Sequence, residues 1–362
     1  MDGMNGQITA DGQFFMQQSP KPDDNQILIA AGRILRKIRK HFSWLGGMYM
    51  LGVIVIYAVQ ILVSAISIYL WPELTQNGDL LLLSSMVPMY LIGMPVTILL
   101  VRTVPAQKVE RRRMKPGHFV LAVIMSFGAV YLTNIIGNII TTFIGLLKGG
   151  DVQNQLANVT DSVSLWMIAL IMVICAPVIE EYVFRKLIVE RAIRYGEGTA
   201  VLLSGFMFGL FHGNLNQFVY AFVLGVFLAY LYVKTGNLKI TIAIHMMINF
   251  MGGLVTSALG RWVSLDEYLE IAGRGDTAAL FAYASENLAG ILAYGVFFLF
   301  VFGCIITGVV LFIVFLAKRK FTFAQGPVVI PKGEKVHTVF LNLGMVFYEI
   351  FWIATIIYQL LA

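Results

Sequence analysis

Leu165-Trp-Met-Ile-Ala-Leu-Ile-Met-Val-Ile-Cys175 is an apolar run without a single charge, and runs of this kind recur along all but the first 44 of the 362 residues. About 20 consecutive apolar residues cross a bilayer as a helix. That ruler picks out segments near 45–71, 80–101, 118–147, 163–184, 199–213, 217–233, 238–257, 287–317 and 338–361. In lipid every backbone N–H and C=O must be satisfied within the segment, so runs this long fold as helices. The expected fold is therefore all-α, a polytopic integral membrane bundle of eight or nine transmembrane helices, the fifth short and the eighth long. Only 13% of the residues are charged, about half the share of a soluble domain, so a water-soluble multidomain chain is excluded.

The net charge of +6 does not point to nucleic acid, because the bases sit beside apolar runs. They cluster in Arg33-Ile-Leu-Arg36-Lys37-Ile-Arg39-Lys40, in Arg111-Arg112-Arg113 and in Lys318-Arg319-Lys320, as expected of loops facing anionic cytoplasmic lipid. Alternate loops are rich and poor in bases, which predicts nine spans with the N-terminus in the cytoplasm. Residues 1–43 read as a polar, disordered cytoplasmic tail, neither cleaved signal nor span, followed by a basic interfacial helix from about residue 28. Residues 44–362 form the transmembrane domain. Cys175 and Cys304, the two cysteines, lie inside apolar runs and read as packing residues. Asn158-Val-Thr160 matches a glycosylation sequon in an outer loop, a triplet that arises often by chance. No internal repeat of the transporter kind is visible.

An ionisable group inside a span costs on the order of 2.5–3.5 kcal/mol on insertion scales and is a functional hypothesis by default. Those that stand out are Glu180, Glu181 and Arg185 in the fourth segment, His212 at the end of the fifth and His245 in the seventh, with Asn249 one turn beyond. Helical spacing lets Glu181 pair with Arg185 at i,i+4. Glu180 points elsewhere and keeps a free carboxylate. If Gly196-Glu197-Gly198 turns a helical hairpin, Glu180 and His212 lie at similar depth, whereas His245 is only about seven residues into its span and fits less well. Phe206, Phe208 and Phe211 read as packing or lipid contact.

A carboxylate and an imidazole can activate a water as general base and later return the proton as general acid. A second histidine and an amide can hydrogen-bond the oxygen that turns negative in a tetrahedral intermediate. Together they are equipped to hydrolyse a peptide bond without a covalent intermediate. Two histidines and a carboxylate are also a catalytic zinc set, so Glu180, His212 and His245 are the candidate metal ligands if the chemistry needs zinc; otherwise no cofactor is expected.

The order Glu180-Glu181-x-x-x-Arg185, Phe208-x-x-x-His212 and His245-x-x-x-Asn249 resembles the three motifs of the CPBP family, the CAAX proteases and bacteriocin-processing enzymes also called the Abi family. The flanks Ala176-Pro177 and Tyr182-Val-Phe184-Arg185 resemble it too. The close match covers roughly residues 176–250, within a core at about 163–257. The resemblance implies an α-helical intramembrane endopeptidase of the type that includes the Ras-converting CAAX endoprotease. It implies that Glu180 and His212 activate water, that His245 and Asn249 form the oxyanion site, and that Glu181 and Arg185 support them. It also implies a metal-independent glutamate mechanism. The expected partners are membrane lipid and a lipidated or hydrophobic peptide substrate; no nucleic acid is expected. Two other readings stay open: a non-catalytic membrane scaffold or bacteriocin-immunity protein, and a proton-coupled transporter, for which the other spans largely lack acidic groups.

Overall fold

The computed structural model describes residues 6–8, 14–16, 24–150 and 152–361. Among the described residues, eight helices are long and apolar enough to cross a membrane, and a ninth apolar helix is shorter. We number them α1 (Asp24–Leu70), α2 (Gly78–Arg102), α3 (Pro116–Lys148), α4 (Leu165–Tyr195), α5 (Glu197–Phe211), α6 (Leu215–Thr235), α7 (Leu238–Trp262), α8 (Leu288–Ala317) and α9 (Leu343–Leu361). The expected helical bundle and its eight or nine spans are therefore found. In the N-terminal tail, the strands β1 (Gly6–Ile8) and β2 (Phe14–Met16) pair antiparallel, where no order was expected; the rest of residues 1–23 lie outside the described residues. The basic stretch anticipated as a separate interfacial helix is continuous with the first span. Across that stretch Arg33, Arg36, Lys37, Arg39 and Lys40 are exposed while Ile38 and Phe42 are buried, so α1 has a dry side before it enters lipid.

Helix lengths explain much of the architecture. At 1.5 Å per residue, the 15-residue α5 is about 22 Å long, shorter than the roughly 30 Å hydrocarbon core. It stops at His212, turns through Gly213, and returns as α6. Asn214 caps the return by accepting from the Gln217 N–H, and its amide donates to the His212 carbonyl at 3.0 Å. These bonds satisfy polar groups at the apex. α6 is the most enclosed span and α8 the least. One core lies between α1, α4, α5 and α9, around Phe42, Tyr49, Phe184, Phe208 and Tyr348. A second joins α3, α6 and α7 around Met125, Leu228 and Ile244.

The loops rich in bases gather at one end of the bundle. The Gln107 N–H donates to the Glu190 carbonyl and the Arg112 N–H to that of Thr235. Glu197 accepts from Lys234 Nζ at 2.5 Å and from the Ala324 N–H at 2.8 Å. At the same end Arg191 Nε donates to the Val101 carbonyl at 2.8 Å, while His41 Nε2–H donates to that of Arg191 at 2.9 Å. α1, α2 and α4 are thus tied together by buried polar contacts.

Packing of the peripheral α8 depends on one close approach. A Cβ on Gly128 of α3 would lie 2.6 Å from the Cys304 carbonyl oxygen and 2.8 Å from Gly308 Cα, whereas a Cβ on Gly303 meets nothing within 4 Å. Forcing extra carbon into such a contact costs about 1–3 kcal/mol. Gly128→Val is expected to lower the thermal midpoint of the detergent-solubilised protein, and Gly303→Ala to leave it unchanged. Equal midpoints for the two variants would contradict this packing.

Candidate active site

The site is built on a helix that is not a plain α-helix. Within α4, Ile168–Cys175 and Glu181–Leu187 are π-turns flanking the α-helical turn Ala176–Glu180. Pro177 gives a physical reason for the first, because it lacks an N–H and its ring crowds the preceding turn. The Ala176 N–H bonds Ile171 O in the i→i+5 pattern. In that register the donor for the Met172 carbonyl would be residue 177, a proline. Asn249 of α7 fills the vacancy: its Nδ2 donates to Met172 O at 2.8 Å. Asn249 therefore supports the irregular backbone of α4, a role that the motif spacing alone did not suggest. Its second amide N–H remains for a ligand.

Glu181 and Arg185 pair as expected, 3.2 Å apart with both side chains fully buried. The contact is ionic, since the Arg185 nitrogens have no well-aligned hydrogen-bond partner among the described residues. The guanidinium lies over the Phe208 ring, 3.9 Å from its centroid, where the negative face of the ring attracts it. Glu181 Oε1 also accepts from His245 Nδ1–H at 3.0 Å, because a carboxylate can only accept. The other ring nitrogen, Nε2, lies 3.7 Å from Glu180 Oε2. Adjacent glutamates thus approach one imidazole from its two sides. Glu180 leaves α4 in another direction, as expected, but it turns toward His245 and is 17% exposed.

His212 follows the last turn of α5, and its Nδ1–H donates to the Phe208 carbonyl at 2.9 Å. That bond fixes the tautomer and leaves Nε2 with a lone pair. Phe208 stands edge-on to both imidazoles, with centroids 4.8 Å from His212 and 5.8 Å from His245. It packs, as its sequence position suggested, but what it packs is the site. The depth mismatch anticipated for His245 disappears, since His245 lies within 3.7 Å of both glutamates. Among the described residues, no three His, Cys, Asp or Glu side chains converge to hold a metal ion. Glu180, His212 and His245 do not converge as a ligand set among the described residues.

A cavity of about 660 Å³ adjoins His212 and is lined also by Phe211 and Gly213 at the α5–α6 apex. Its other walls come from α1, α9, Met89, Gln153 and Gln155. Sequence reading passed over these wall residues. A visible signal was the polar–aromatic spacing Trp352, Thr355, Gln359 at i, i+3, i+7 in the last apolar run. It also passed over Glu349, a half-buried carboxylate in the middle of α9.

Residues 162–251 match the family model described as Rce1-like, "Type II CAAX prenyl endopeptidase Rce1-like". That stretch contains all seven motif side chains. The matched stretch is similar to the CAAX prenyl endopeptidases. The chain is also 28% identical over 160 residues to a protein of Bacillus subtilis (strain 168) named "Putative membrane peptidase YdiL". The alignment takes in 42% of this chain and 64% of that relative, so less than two thirds of it is spanned. No solved structure matches the chain. α1, α2, α3, α8 and α9 lie outside the matched CAAX-protease core.

The link between Asn249 and Met172 is open to a double-mutant test. Asn249→Leu leaves a buried carbonyl without a donor, at a cost of about 1–3 kcal/mol. Pro177→Ala restores an N–H where the i→i+5 pattern needs one. The expected result, from denaturant titration in detergent, is that Asn249→Leu destabilises less in the Pro177→Ala background than in the wild type. Strictly additive effects would refute the pairing.

Proposed function

We propose that this chain is an intramembrane endopeptidase that hydrolyses peptide bonds of a membrane-associated, hydrophobic or lipidated peptide, with Glu180 as the base. The observation that carries the reading is the division of labour between adjacent glutamates. Glu181 is held by Arg185 and His245, while Glu180 has no cation of its own and faces His245 Nε2 across 3.7 Å. The match of residues 162–251 to the Rce1-like family model supports it.

In this mechanism Glu180, assisted by the lone pair of His212 Nε2, takes a proton from water as the water oxygen attacks the peptide carbonyl carbon. His245, held through Nδ1 by Glu181, presents Nε2 to the new oxyanion and donates to it whenever that nitrogen carries a proton. The free N–H of Asn249 is the second donor. When the intermediate collapses, the C–N bond breaks and the Glu180 carboxyl gives its proton to the leaving amine. The basic end of the bundle faces the cytoplasm of a bacterial plasma membrane, by the distribution of Lys and Arg.

The rival within the same chemistry is a metal-dependent protease that uses Glu180, His212 and His245. A rival of another class is a membrane scaffold or immunity protein, favoured by the structural bonds that Asn249 and Glu181 already make. Glu180→Gln keeps shape and hydrogen bonding while removing the base, which costs on the order of 10²–10⁴ in rate. Mass spectrometry of newly formed peptide termini in native membranes is expected to show termini that vanish in Glu180→Gln at equal expression. Identical terminal profiles would favour the scaffold. A metal chelator is expected to leave the cleavage unchanged; abolition by the chelator, with a stoichiometric ion lost in His212→Ala, would establish the zinc mechanism instead.

A further inference from the structure

The cavity beside His212 lies mostly outside the CAAX-protease core. α1 contributes Val53, Ile56, Tyr57 and Gln60, and α9 contributes Trp352, Thr355, Tyr358 and Gln359. The two helices meet closely near the basic end, where the Gly344 N–H donates to Ser43 Oγ at 3.0 Å. The cavity lies farther along both, toward the opposite end of the bundle. There Tyr358 is exposed, and Gln359 Nε2 donates to the Gln153 carbonyl at 2.9 Å. The short α5 explains the space, since its apex leaves lipid-depth volume above it that no helix fills.

The lining states what fits. At about 660 Å³ it falls within the roughly 300–1,000 Å³ of ligand pockets. Among the described residues, none in the lining is Asp, Glu, Lys or Arg, and four are glutamines. Gln60 commits its amide nitrogen to Ser85 Oγ at 3.0 Å and Gln359 commits its own to Gln153, which leaves their oxygens as acceptors. Gln359 Oε1 is buried without a partner among the described residues, on a side chain only 8% exposed. Amide oxygens seek N–H donors, and apolar walls such as Val53, Ile56 and Phe211 seek apolar side chains. A peptide main chain bearing uncharged residues offers both. A purely isoprenoid chain offers no donor, and a charged segment finds no counter-ion.

We propose that this chamber admits an uncharged peptide segment from the end of the bundle opposite the basic loops, and delivers it to His212 at its floor. The inference names the substrate class and the entry side, and it rests on the peptidase reading of the same site.

The test needs no turnover. Thr355→Cys is placed in a Cys175→Ala, Cys304→Ala, Glu180→Gln background, with Gln60→Cys as an independent second position. Lys320→Cys, in a basic loop, marks the other side. A membrane-impermeant maleimide is expected to label Thr355→Cys and Gln60→Cys from the side that does not label Lys320→Cys. Labelling only from the Lys320→Cys side overturns the entry route, as does no labelling from either side at both positions. Acetyl-Leu-Phe-Ser-Leu-amide at about ten times its Kd is expected to slow labelling about tenfold by occupancy. Acetyl-Lys-Phe-Asp-Leu-amide is expected not to. Equal protection by the two peptides, or protection by farnesol alone, overturns the substrate class. If the neutral peptide protects but no Glu180-dependent termini exist, the chamber stands and the peptidase reading fails.

Discussion

A guanidinium and a carboxylate held together without water set the terms for everything around them. Arg185 and Glu181 are fully buried in the middle of the bundle, where an uncompensated charge is expensive and a broken pair costs about 3–5 kcal/mol. Neither residue is satisfied by the other alone. Arg185 needs the face of Phe208 on α5, and Glu181 takes the imidazole of His245 on α7. One charge cluster on α4 therefore fixes the rotation of two other helices. Lipid offers no hydrophobic force between helices to do this, so polar groups supply the registry. Glu180 inherits its position from that registry, because its neighbour Glu181 anchors the turn from which it projects.

The irregular backbone of α4 belongs to the same economy. A π-turn widens the helix and frees a carbonyl, which in hydrocarbon demands a donor. Asn249 answers the demand and ties α7 to α4 a second time, one turn beyond His245. Those two contacts lie on a single face of α7. Its sliding or rotation would break a charged hydrogen bond and a backbone repair together.

The spans, the alternation of basic loops and the Glu181–Arg185 pair were legible because each follows from spacing or hydropathy alone. The bond from Glu181 to His245 was not. It depends on the widened turns of α4, and a sequence assigns those residues to ideal helical positions. The role of Asn249 was hidden for a related reason: the consequence of Pro177 falls on Met172, five residues away, and its remedy comes from 77 residues further on. The cavity was foreshadowed by the shortness of the fifth apolar run, but its walls come from the first and last helices, whose adjacency no local pattern encodes. Glu349 was overlooked as a single acid in an otherwise apolar run. The continuity of α1 was missed because charge density suggested a boundary where helical propensity does not break.

The short α5 also bears on how the chain is assembled. A segment of about 22 Å, ending in a histidine, a glycine and an asparagine, cannot settle in a bilayer as an independent span. Its apex is stable only when Phe208 meets Arg185 and Trp352 covers Gly213, contacts supplied by α4 and by α9. The hairpin of α5 and α6 must therefore wait for α9 before its lipid-facing surroundings are complete. Until α9 has been made, a ribosome-bound intermediate carries the site's chemistry in unassembled form.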